Sequence, residues 1–507
     1  MIWSFPDPTR TAILANGQSY SFGDLQQASR HMAAQLLANQ SDLNERRVAF
    51  MVEPGFDYVR VQWGIWLAGG VGVPLCTTHP LPAIQYVLDD TGADVLVVSP
   101  AFANLLRDDA TRRHIRFIVL GEDETSLETL LPTLTPDRRA MILYTSGTTN
   151  LPKGVVTTHA NLDAQTATLL KAWSYSTCDH ALCVLPLHHV HGIVNVVSCT
   201  LRAGGTVEFL SNFSAQAVFD WFRANQLPNR DRVFMAVPTI YFKLIAHFDT
   251  LPPDEQTAIT GAMRACRLMV SGSAALPVSV MERWEAISGH RLLERYGMTE
   301  IGMAISNPYM GERRAGHIGQ PLPGVGIRLV DDAGLDVQDD ASPGESTPGD
   351  ASPGEILVKG DNVFLEYWQR PDATEAAFTP DGWFRTGDVA VLETGYYRIL
   401  GRNSTDIIKS GGYKISALEI EEVLRTHPLV ADCSVVGLPN DEWGELVAAA
   451  LVLQHPNTPL DTAQLSTWLR EQLPAYKVPR RFLALPDLPR NAMGKVTKND
   501  LKPMFND

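Results

Sequence analysis

Short apolar runs that alternate with helix-like stretches constrain the fold of this chain more than any other feature of its sequence. Val48–Val52, Ala93–Val98 and Phe117–Leu120 are typical of strands buried on both faces, because apolar residues are not interrupted by regularly spaced polar ones. Segments with a helical period, such as Thr158–Trp173 and Ala215–Asn225, lie between such runs. This alternation predicts an α/β fold with largely parallel sheets.

The length and a change in character near residue 401 predict two domains. A single hydrophobic core stops growing near ~250–300 residues, and this chain has 507. After the polar segment 401–406, Ser416-Ala-Leu-Glu419 predicts a capping box before an amphipathic helix that ends near Arg425. Short strands and a further helix are predicted beyond it, at Cys433–Val436, Val447–Leu453 and Ala463–Leu473. We therefore divide the chain into residues 1–402 and a small α+β domain of residues 403–507.

Composition argues against several classes of protein. With 42 Lys and Arg against 57 Asp and Glu, the formal charge is −15, whereas a nucleic-acid partner would require a basic face. The six cysteines are scattered without a C-x-x-C pair, which fits neither a zinc site nor a disulfide framework. No secretory signal is visible, and Ala181–Leu201 holds too many polar residues for a membrane span. We expect a cytoplasmic protein without membrane insertion, and the sequence leaves monomer and homodimer open.

The segment Tyr144-Thr-Ser-Gly-Thr-Thr-Asn-Leu-Pro-Lys-Gly154 has the composition of a phosphate-binding loop. Glycines let backbone N–H groups approach a ligand, and the hydroxyls and the lysine add donors. It is not a Walker A loop, because Lys153 precedes Gly154 and no G-K-[ST] opens a helix. A hydroxyl-rich surface turn is the alternative interpretation. The candidate phosphate ligands are Thr145, Ser146, Gly147, Thr148, Thr149 and Lys153.

Six motifs, in this order, resemble those of the adenylate-forming superfamily, which includes acyl-CoA synthetases, peptide-synthetase adenylation domains and beetle luciferases. They are Tyr144–Gly154, Tyr296-Gly-Met-Thr-Glu300, Trp383-Phe-Arg-Thr-Gly-Asp388, Gly401-Arg402, Lys409-Ser-Gly-Gly-Tyr413 and Pro489-Arg-Asn-Ala-Met-Gly-Lys495. The resemblance spans almost the whole chain. It implies a large multi-sheet N-terminal adenylation domain, a small α+β C-terminal domain on a hinge, and the use of ATP, Mg²⁺ and CoA.

The resemblance also implies roles for individual residues of the nucleotide site. Glu300, next to Thr299, would hold Mg²⁺, a hard cation that prefers carboxylate and phosphate oxygens. Tyr296 would stack on adenine, and Asp388 would accept hydrogen bonds from both ribose hydroxyls with help from Arg402.

Lys495 is implied as the catalytic lysine of the same site. It would neutralise charge on the α-phosphate and the attacking carboxylate, where one well-placed donor contributes ~3–4 kcal/mol. A solvated lysine near the C-terminus is the interpretation that the residue alone would favour. The segment that would face the CoA channel after domain rotation is formed by Lys409, Ser410, Gly411, Gly412 and Tyr413.

The acyl pocket decides which acid is activated. The segments that line it in the family correspond here to Leu187–Gly192, Val237–Leu244, Arg267–Leu276 and Gly302–Pro308. The amino-acid sequences of these segments resemble those of the malonyl-CoA synthetase subfamily. The candidate substrate ligands are His189, Lys243, Arg267, Ser271, Gly272 and Met303.

Two cations among these candidates suggest a second carboxylate on the substrate. An unpaired buried charge costs several kcal/mol, which a substrate carboxylate beside Lys243 and Arg267 would offset. We therefore predict malonate, with methylmalonate as a related substrate. The alternative is that both cations end in water or in ordinary ion pairs.

The predicted reaction joins a carboxylic acid to AMP and then transfers the acyl group to CoA. Other short or medium-chain acids are alternative substrates, and a carrier-protein thiol is an alternative acceptor. A non-catalytic adenylate-binding protein on the same fold is a rival from another class.

Overall fold

The computed structural model describes residues 7–122, 130–145, 151–210, 212–224, 231–337, 352–455, 459–490 and 495–505. Within these ranges the strands, labelled β1 to β25 in chain order, are Thr11–Ala15, Gln18–Ser21, Arg47–Met51, Val71–Pro74, Val95–Val98, Arg116–Val119, Arg139–Thr145, Lys153–Thr158, Asp179–Cys183, Thr206–Phe209, Asp231–Ala236, Cys266–Ser271, Leu293–Met298, Gly302–Ser306, Gln320–Pro321, Gly326–Val330, Gly354–Lys359, Glu366–Tyr367, Phe384–Glu393, Tyr396–Arg402, Ile407–Ser410, Tyr413–Ser416, Val430–Asn440, Gly444–Leu453 and Arg481–Ala484.

The α-helices of the same ranges, labelled α1 to α14, are Phe22–Leu37, Phe56–Leu67, Leu81–Thr91, Pro100–Arg112, His159–Ala172, Cys199–Arg202, Ala215–Ala224, Pro238–Phe248, Pro253–Arg264, Val278–Ser288, Pro371–Ala376, Ala417–Arg425, Thr462–Gln472 and Lys498–Leu501. A π-helix covers His191–Ser198, and short 3-10 helices cover Ala475–Lys477 and Lys502–Phe505. None of the helices in the described ranges has both the length and the apolar character needed to cross a membrane.

Two of the four sheets formed by the described strands are largely parallel, as the apolar runs predict. The first has the order β15-β14-β13-β12-β11-β9-β10-β1-β2, and its strands from β13 to β1 run parallel. The second has the order β18-β8-β7-β4-β3-β5-β6 and is parallel from β7 to β6. The sheet β16-β17-β19-β20 is antiparallel, and the sheet β22-β21-β24-β23 carries β25 beside β24. The α/β class is confirmed.

Local chemistry explains where several of these helices begin. The Thr158 hydroxyl accepts a hydrogen bond from the Asn161 N–H over 3.1 Å, and the Asn161 side chain accepts from the Thr158 N–H, so α5 starts with a complete capping box. At α12 the Ser416 hydroxyl likewise accepts from the Glu419 N–H over 3.2 Å. The Glu419 carboxylate, however, pairs with Lys477 at 2.7 Å. Half of the predicted capping box therefore forms, because an ion pair holds the glutamate elsewhere.

The hydrophobic core is divided in the way that a large and a small domain require. The largest buried cluster joins β1 of the first sheet, β3 of the second sheet and helices α1, α2 and α5, through Ile13, Phe50, Leu36, Trp63 and Leu162. A separate cluster joins α12, β23, β24 and α13, through Ile420, Val435, Leu451 and Leu469. The division at residues 402 and 403 stays a prediction.

The predicted hinge segment is the turn between two strands. β20 ends at Arg402, and β21 begins at Ile407. The Asp406 carboxylate accepts a hydrogen bond from the Arg402 N–H over 3.0 Å and pairs with Lys498 at 2.7 Å. A cavity of about 350 Å³ borders this turn, lined by Thr386, Gly387, Arg402, Asn403, Ser404 and Lys409.

Candidate functional site

The candidate site lies beyond the carboxyl ends of neighbouring parallel strands, the usual position of ligands in open α/β sheets. β12 ends at Ser271 and is followed by Gly272, while β13 ends at Met298 and is followed by Thr299 and Glu300. β9 lies in the same parallel group and leads into the loop with His189. Three of the predicted segments are thus brought to one edge of one sheet.

Three residues predicted for the nucleotide site, each from a separate motif, form one cluster. Asp388 and Arg402 are cross-strand neighbours in the β19–β20 pair, and Arg402 Nε donates to Asp388 Oδ1 over 3.0 Å. The Tyr296 hydroxyl donates to Asp388 Oδ2 over 2.6 Å. Burial raises the pKa of Tyr296, so its phenol remains a donor. The stacking of Tyr296 on adenine stays a prediction.

Glu300 is buried and held by a tyrosine that the sequence did not point to. The Tyr367 hydroxyl donates to Glu300 Oε1 over 2.9 Å, and Lys153 Nζ lies 4.8 Å from the centre of the Tyr367 ring. Burial raises the pKa of Glu300. A nearby cation would oppose this effect and favour the charged carboxylate. A buried carboxylate beside a predicted phosphate loop fits a hard divalent cation shared with phosphate oxygens.

The phosphate loop is described at its two ends. Thr145 ends β7 and pairs with Lys153, which begins β8, and the Thr145 hydroxyl lies 3.5 Å from the Lys153 carbonyl oxygen. Ser146, Gly147, Thr148 and Thr149 lie outside the described residues. Their contact with phosphate stays a prediction.

Lys495 lies among the charged groups of the nucleotide cluster. Asp388, Arg402 and Arg295 are all within electrostatic range of its ammonium. The residue has an exposed surface, but its ammonium is surrounded by protein groups. This desolvation lowers the pKa of Lys495, and the charges of Arg402 and Arg295 lower it further. Burial lowers the pKa of His189 to about 2, and the charges of His188 and Lys495 add to this lowering. The Lys495 ammonium therefore lies within electrostatic range of both the nucleotide cluster and His189 of the predicted acyl pocket.

The segments predicted to line the acyl pocket bring together two neutral histidines and a small-residue turn. His191 opens the π-helix, a rare helix type that is frequent at functional sites, and its Nδ1 lies 3.1 Å from Ser273 Oγ. Burial also lowers the pKa of His191. Ser273 has a φ of 70°, in the left-handed region that costs free energy for a residue with a side chain. Ser271 in β12 and Met303 in β14 are both buried.

Arg295 is the functional candidate that the sequence analysis missed. It is buried in β13, its Nη2 lies 3.5 Å from Ser273 Oγ, and its Nε has no hydrogen-bond partner among the described residues. Gly272 makes room for it, since a Cβ at Gly272 would lie 2.6 Å from Arg295 Cζ. The signal was an arginine inside an otherwise buried strand, directly before Tyr296.

The structure places the two predicted cations away from the pocket. Arg267 Nε and Nη2 donate to both carboxylate oxygens of Asp179, each over 2.9 Å, and its Nη1 donates to the Trp173 carbonyl over 2.7 Å. This pairing satisfies the guanidinium internally, which is the alternative that the sequence left open. Lys243 is exposed on α8, with its Nζ 5.9 Å from the centre of the Phe213 ring.

The predicted CoA segment forms a hairpin in the C-terminal domain. Lys409 and Ser410 end β21, Gly411 and Gly412 make the turn with φ of 57° and 83°, and Tyr413 begins β22. The Tyr413 ring stacks on Tyr476 with centroids 4.4 Å apart. CoA contact by this hairpin stays a prediction.

Sequence profiles now identify the family. The profile of the AMP-binding enzyme matches residues 5–368, and that of the AMP-binding enzyme C-terminal domain matches residues 419–495. The chain belongs to the AMP-binding enzyme family. It is an AMP-forming acyl-CoA synthetase. The predicted resemblance is confirmed.

Relatives of this AMP-binding enzyme include named malonate ligases. The mitochondrial malonate–CoA ligase ACSF3 of Bos taurus is 43% identical, over 97% of this chain and 88% of its own length. The crystal structure of ATP-bound MatB from Rhodopseudomonas palustris has a TM-score of 0.88 at 33% identity, covering 99% and 97% of the two chains. A malonyl-CoA ligase ternary product complex with methylmalonyl-CoA and AMP bound gives a TM-score of 0.67 at 34% identity, covering 96% and 99%. At nearly equal identity, this AMP-binding enzyme is closer in shape to the ATP-bound structure.

Proposed function

We propose that this AMP-binding enzyme forms malonyl-CoA from malonate, ATP and CoA. The observation that carries the proposal is Arg295, a buried guanidinium beside the acyl pocket with an unpartnered Nε among the described residues. A second substrate carboxylate would pair with this guanidinium, which has no hydrogen-bonded carboxylate among the described residues, and would offset the cost of its burial. An arginine can bind a carboxylate through two parallel charged hydrogen bonds, which are stronger and more specific than neutral ones. Relatives named as malonate–CoA ligases support the same substrate.

The first half-reaction is adenylation. One malonate carboxylate oxygen attacks the α-phosphorus of ATP, a P–O bond forms, and the bond to pyrophosphate breaks. Lys495 stabilises the charge that develops on the phosphoryl oxygens, which is often the largest catalytic contribution. Meanwhile Asp388 and Arg402 position the ribose, and Tyr296 stacks on the adenine.

We propose that Glu300 holds Mg²⁺ together with phosphate oxygens of ATP. The ion would neutralise phosphate charge, and the Tyr367 hydroxyl keeps the carboxylate oriented.

The second half-reaction transfers the acyl group to sulfur. The CoA thiol loses its proton, attacks the malonyl-adenylate carbonyl, and AMP leaves. We propose that the C-terminal domain rotates about residues 401–406, which withdraws Lys495 and brings the 409–413 hairpin to the site. Domain alternation suits a cleft that must host two reactions in turn.

The cytoplasmic location also stays a prediction.

A panel of acids tests the substrate. Malonate, methylmalonate, acetate, butyrate and octanoate are compared by exchange of labelled pyrophosphate into ATP. We expect malonate to give the highest kcat/KM, with methylmalonate second, because an added methyl changes the fit by about 1–3 kcal/mol. A preference for octanoate or butyrate would remove the dicarboxylate assignment.

A second measurement separates the rival acceptors. AMP formation from malonate and ATP should become continuous only when CoA is added. Turnover that requires a carrier protein instead would favour a carrier-loading enzyme. If none of the acids supports pyrophosphate exchange, the protein would be a non-catalytic binder.

A further inference from the structure

Three potential metal ligands meet where the two large sheets approach each other. Cys76 and His79 lie in the loop between β4 of the second sheet and α3. His188 comes from the loop that follows β9 of the first sheet. The Sγ of Cys76 and a ring nitrogen of each histidine all lie within 4.8 Å of one another.

The donor set selects a particular kind of ion. One thiolate and two imidazoles suit Zn²⁺ and similar borderline-soft cations, whereas Mg²⁺ prefers oxygen ligands. With Zn–S near ~2.3 Å and Zn–N near ~2.0–2.1 Å, tetrahedral ligands stand roughly 3.3–3.6 Å apart. The three donor atoms, which lie within 4.8 Å of one another, would therefore move closer together when the ion binds, and His79 is the most exposed of the three residues.

A further observation points to a ligand at this cluster. The Nε2 atom of His188 is buried and has no hydrogen-bond partner among the described residues. A buried polar atom without a partner costs free energy, which a bound cation would offset. Cys76 is buried as well, so its sulfur is shielded from bulk solvent.

We propose that Cys76, His79 and His188 form a three-residue site for Zn²⁺ or a similar borderline-soft divalent cation, with the fourth coordination position open. The site borders the acyl pocket, because the rings of His188 and His189 have centroids 4.0 Å apart. Three protein ligands with an open position are typical of zinc sites that accept water or a substrate group. The cluster is independent of the Mg²⁺ assigned to Glu300.

Cysteine spacing could not indicate this site. The sequence predicts no zinc site, because a paired motif such as C-x-x-C is absent. Here the third ligand lies more than a hundred residues from the first two, and only the packing of the two sheets brings them together.

Cobalt(II) titration of the purified full chain, stripped of metal by a chelator, tests the proposal directly. Co²⁺ takes the place of Zn²⁺ in such sites and reports a bound thiolate through a sulfur-to-cobalt charge-transfer band. We expect one Co²⁺ per chain, displaced by equimolar Zn²⁺ and unaffected by excess Mg²⁺. The measurement needs neither malonate, ATP nor CoA, so its failure would leave the proposed function standing.

Matched variants show whether these three side chains are the ligands. C76S should lose the charge-transfer band, while C178S, which alters the exposed cysteine, should keep it. H79Q changes an exposed side chain and carries little risk for folding, and it should weaken Co²⁺ binding while H455Q leaves it unchanged. A band that persists in C76S, unchanged affinity in H79Q, or no charge-transfer band in the unaltered chain would overturn the proposal.

Discussion

The nucleotide side and the acyl side of this site differ in how their charged and polar groups are paired. On the nucleotide side the charges are satisfied within the protein, since Asp388 accepts from both Tyr296 and Arg402, and Glu300 accepts from Tyr367. On the acyl side Arg295 Nε and the Nε2 atoms of His189 and His191 have no hydrogen-bond partner among the described residues. A nucleotide of fixed shape is thus bound by a preorganised set of groups, whereas the predicted acyl pocket leaves the Arg295 charge for the substrate to neutralise.

Two arginines within the acyl region repeat the contrast. Arg267 shares a bidentate pair with the fully buried Asp179, while Arg295 contacts only the neutral Ser273 hydroxyl among the hydrogen bonds of the described residues. A buried arginine with its own carboxylate holds the fold together. Arg295 has the Glu294 charge nearby but no hydrogen-bonded carboxylate among the described residues, so its guanidinium can bind a substrate anion. The following variants test this distinction, beginning with the largest expected effect.

Replacing Arg267 by Ala should destabilise the protein strongly without changing substrate choice. The variant leaves Asp179 buried without its partner, which costs about 3–5 kcal/mol. Urea unfolding measures the loss in the free energy of unfolding. The double variant with Asp179→Asn should recover part of that loss, because the uncompensated charge is gone. An undiminished stability in R267A would mean that the pair contributes nothing to the fold.

Replacing Lys495 by Ala should abolish most adenylation and spare the second half-reaction. The lost donor corresponds to ~3–4 kcal/mol of transition-state stabilisation, roughly 100- to 1000-fold in rate. Pyrophosphate exchange measures the first half, and CoA-dependent AMP release from supplied malonyl-adenylate measures the second. Equal loss of both halves would contradict the proposed domain alternation.

Replacing Arg295 by Ala should raise the KM for malonate and leave the KM for ATP unchanged. A hydrogen bond to a charged group contributes about 1.5–3 kcal/mol, which corresponds to roughly 10- to 150-fold in KM. Acetate is the internal control, since it lacks the second carboxylate and its KM should hardly change. If malonate and acetate lose the same factor, Arg295 shapes the pocket and does not recognise the second carboxylate.

Replacing Lys243 by Ala should have the smallest effect. The side chain is exposed, and surface substitutions of this kind are usually within about 0.5 kcal/mol. Both the melting temperature and the KM for malonate should match those of the unaltered chain. A raised KM for malonate would show that this lysine contributes to malonate binding and would contradict its place outside the acyl pocket.

Most of the nucleotide side could be predicted because its residues come in contiguous motifs. Tyr296, Glu300, Asp388 and Arg402 each stand in a short stretch whose order along the chain carries the information. Tyr367 could not be predicted, since it lies in a two-residue strand with no motif of its own. It reaches Glu300 only because β18 pairs with β8 at the edge of the second sheet.

The α/β class, most element positions and the chemistry of the adenylation motifs can be predicted from the sequence. Apolar runs and helix caps are local, so their meaning is present in neighbouring residues. Which buried arginine is neutralised depends on the folded structure, because the partner of Arg267 lies 88 positions away at Asp179. The same is true of Cys76, His79 and His188, which come from two sheets. Whether a charge is paired depends on contacts distant in sequence, and folding alone establishes those contacts.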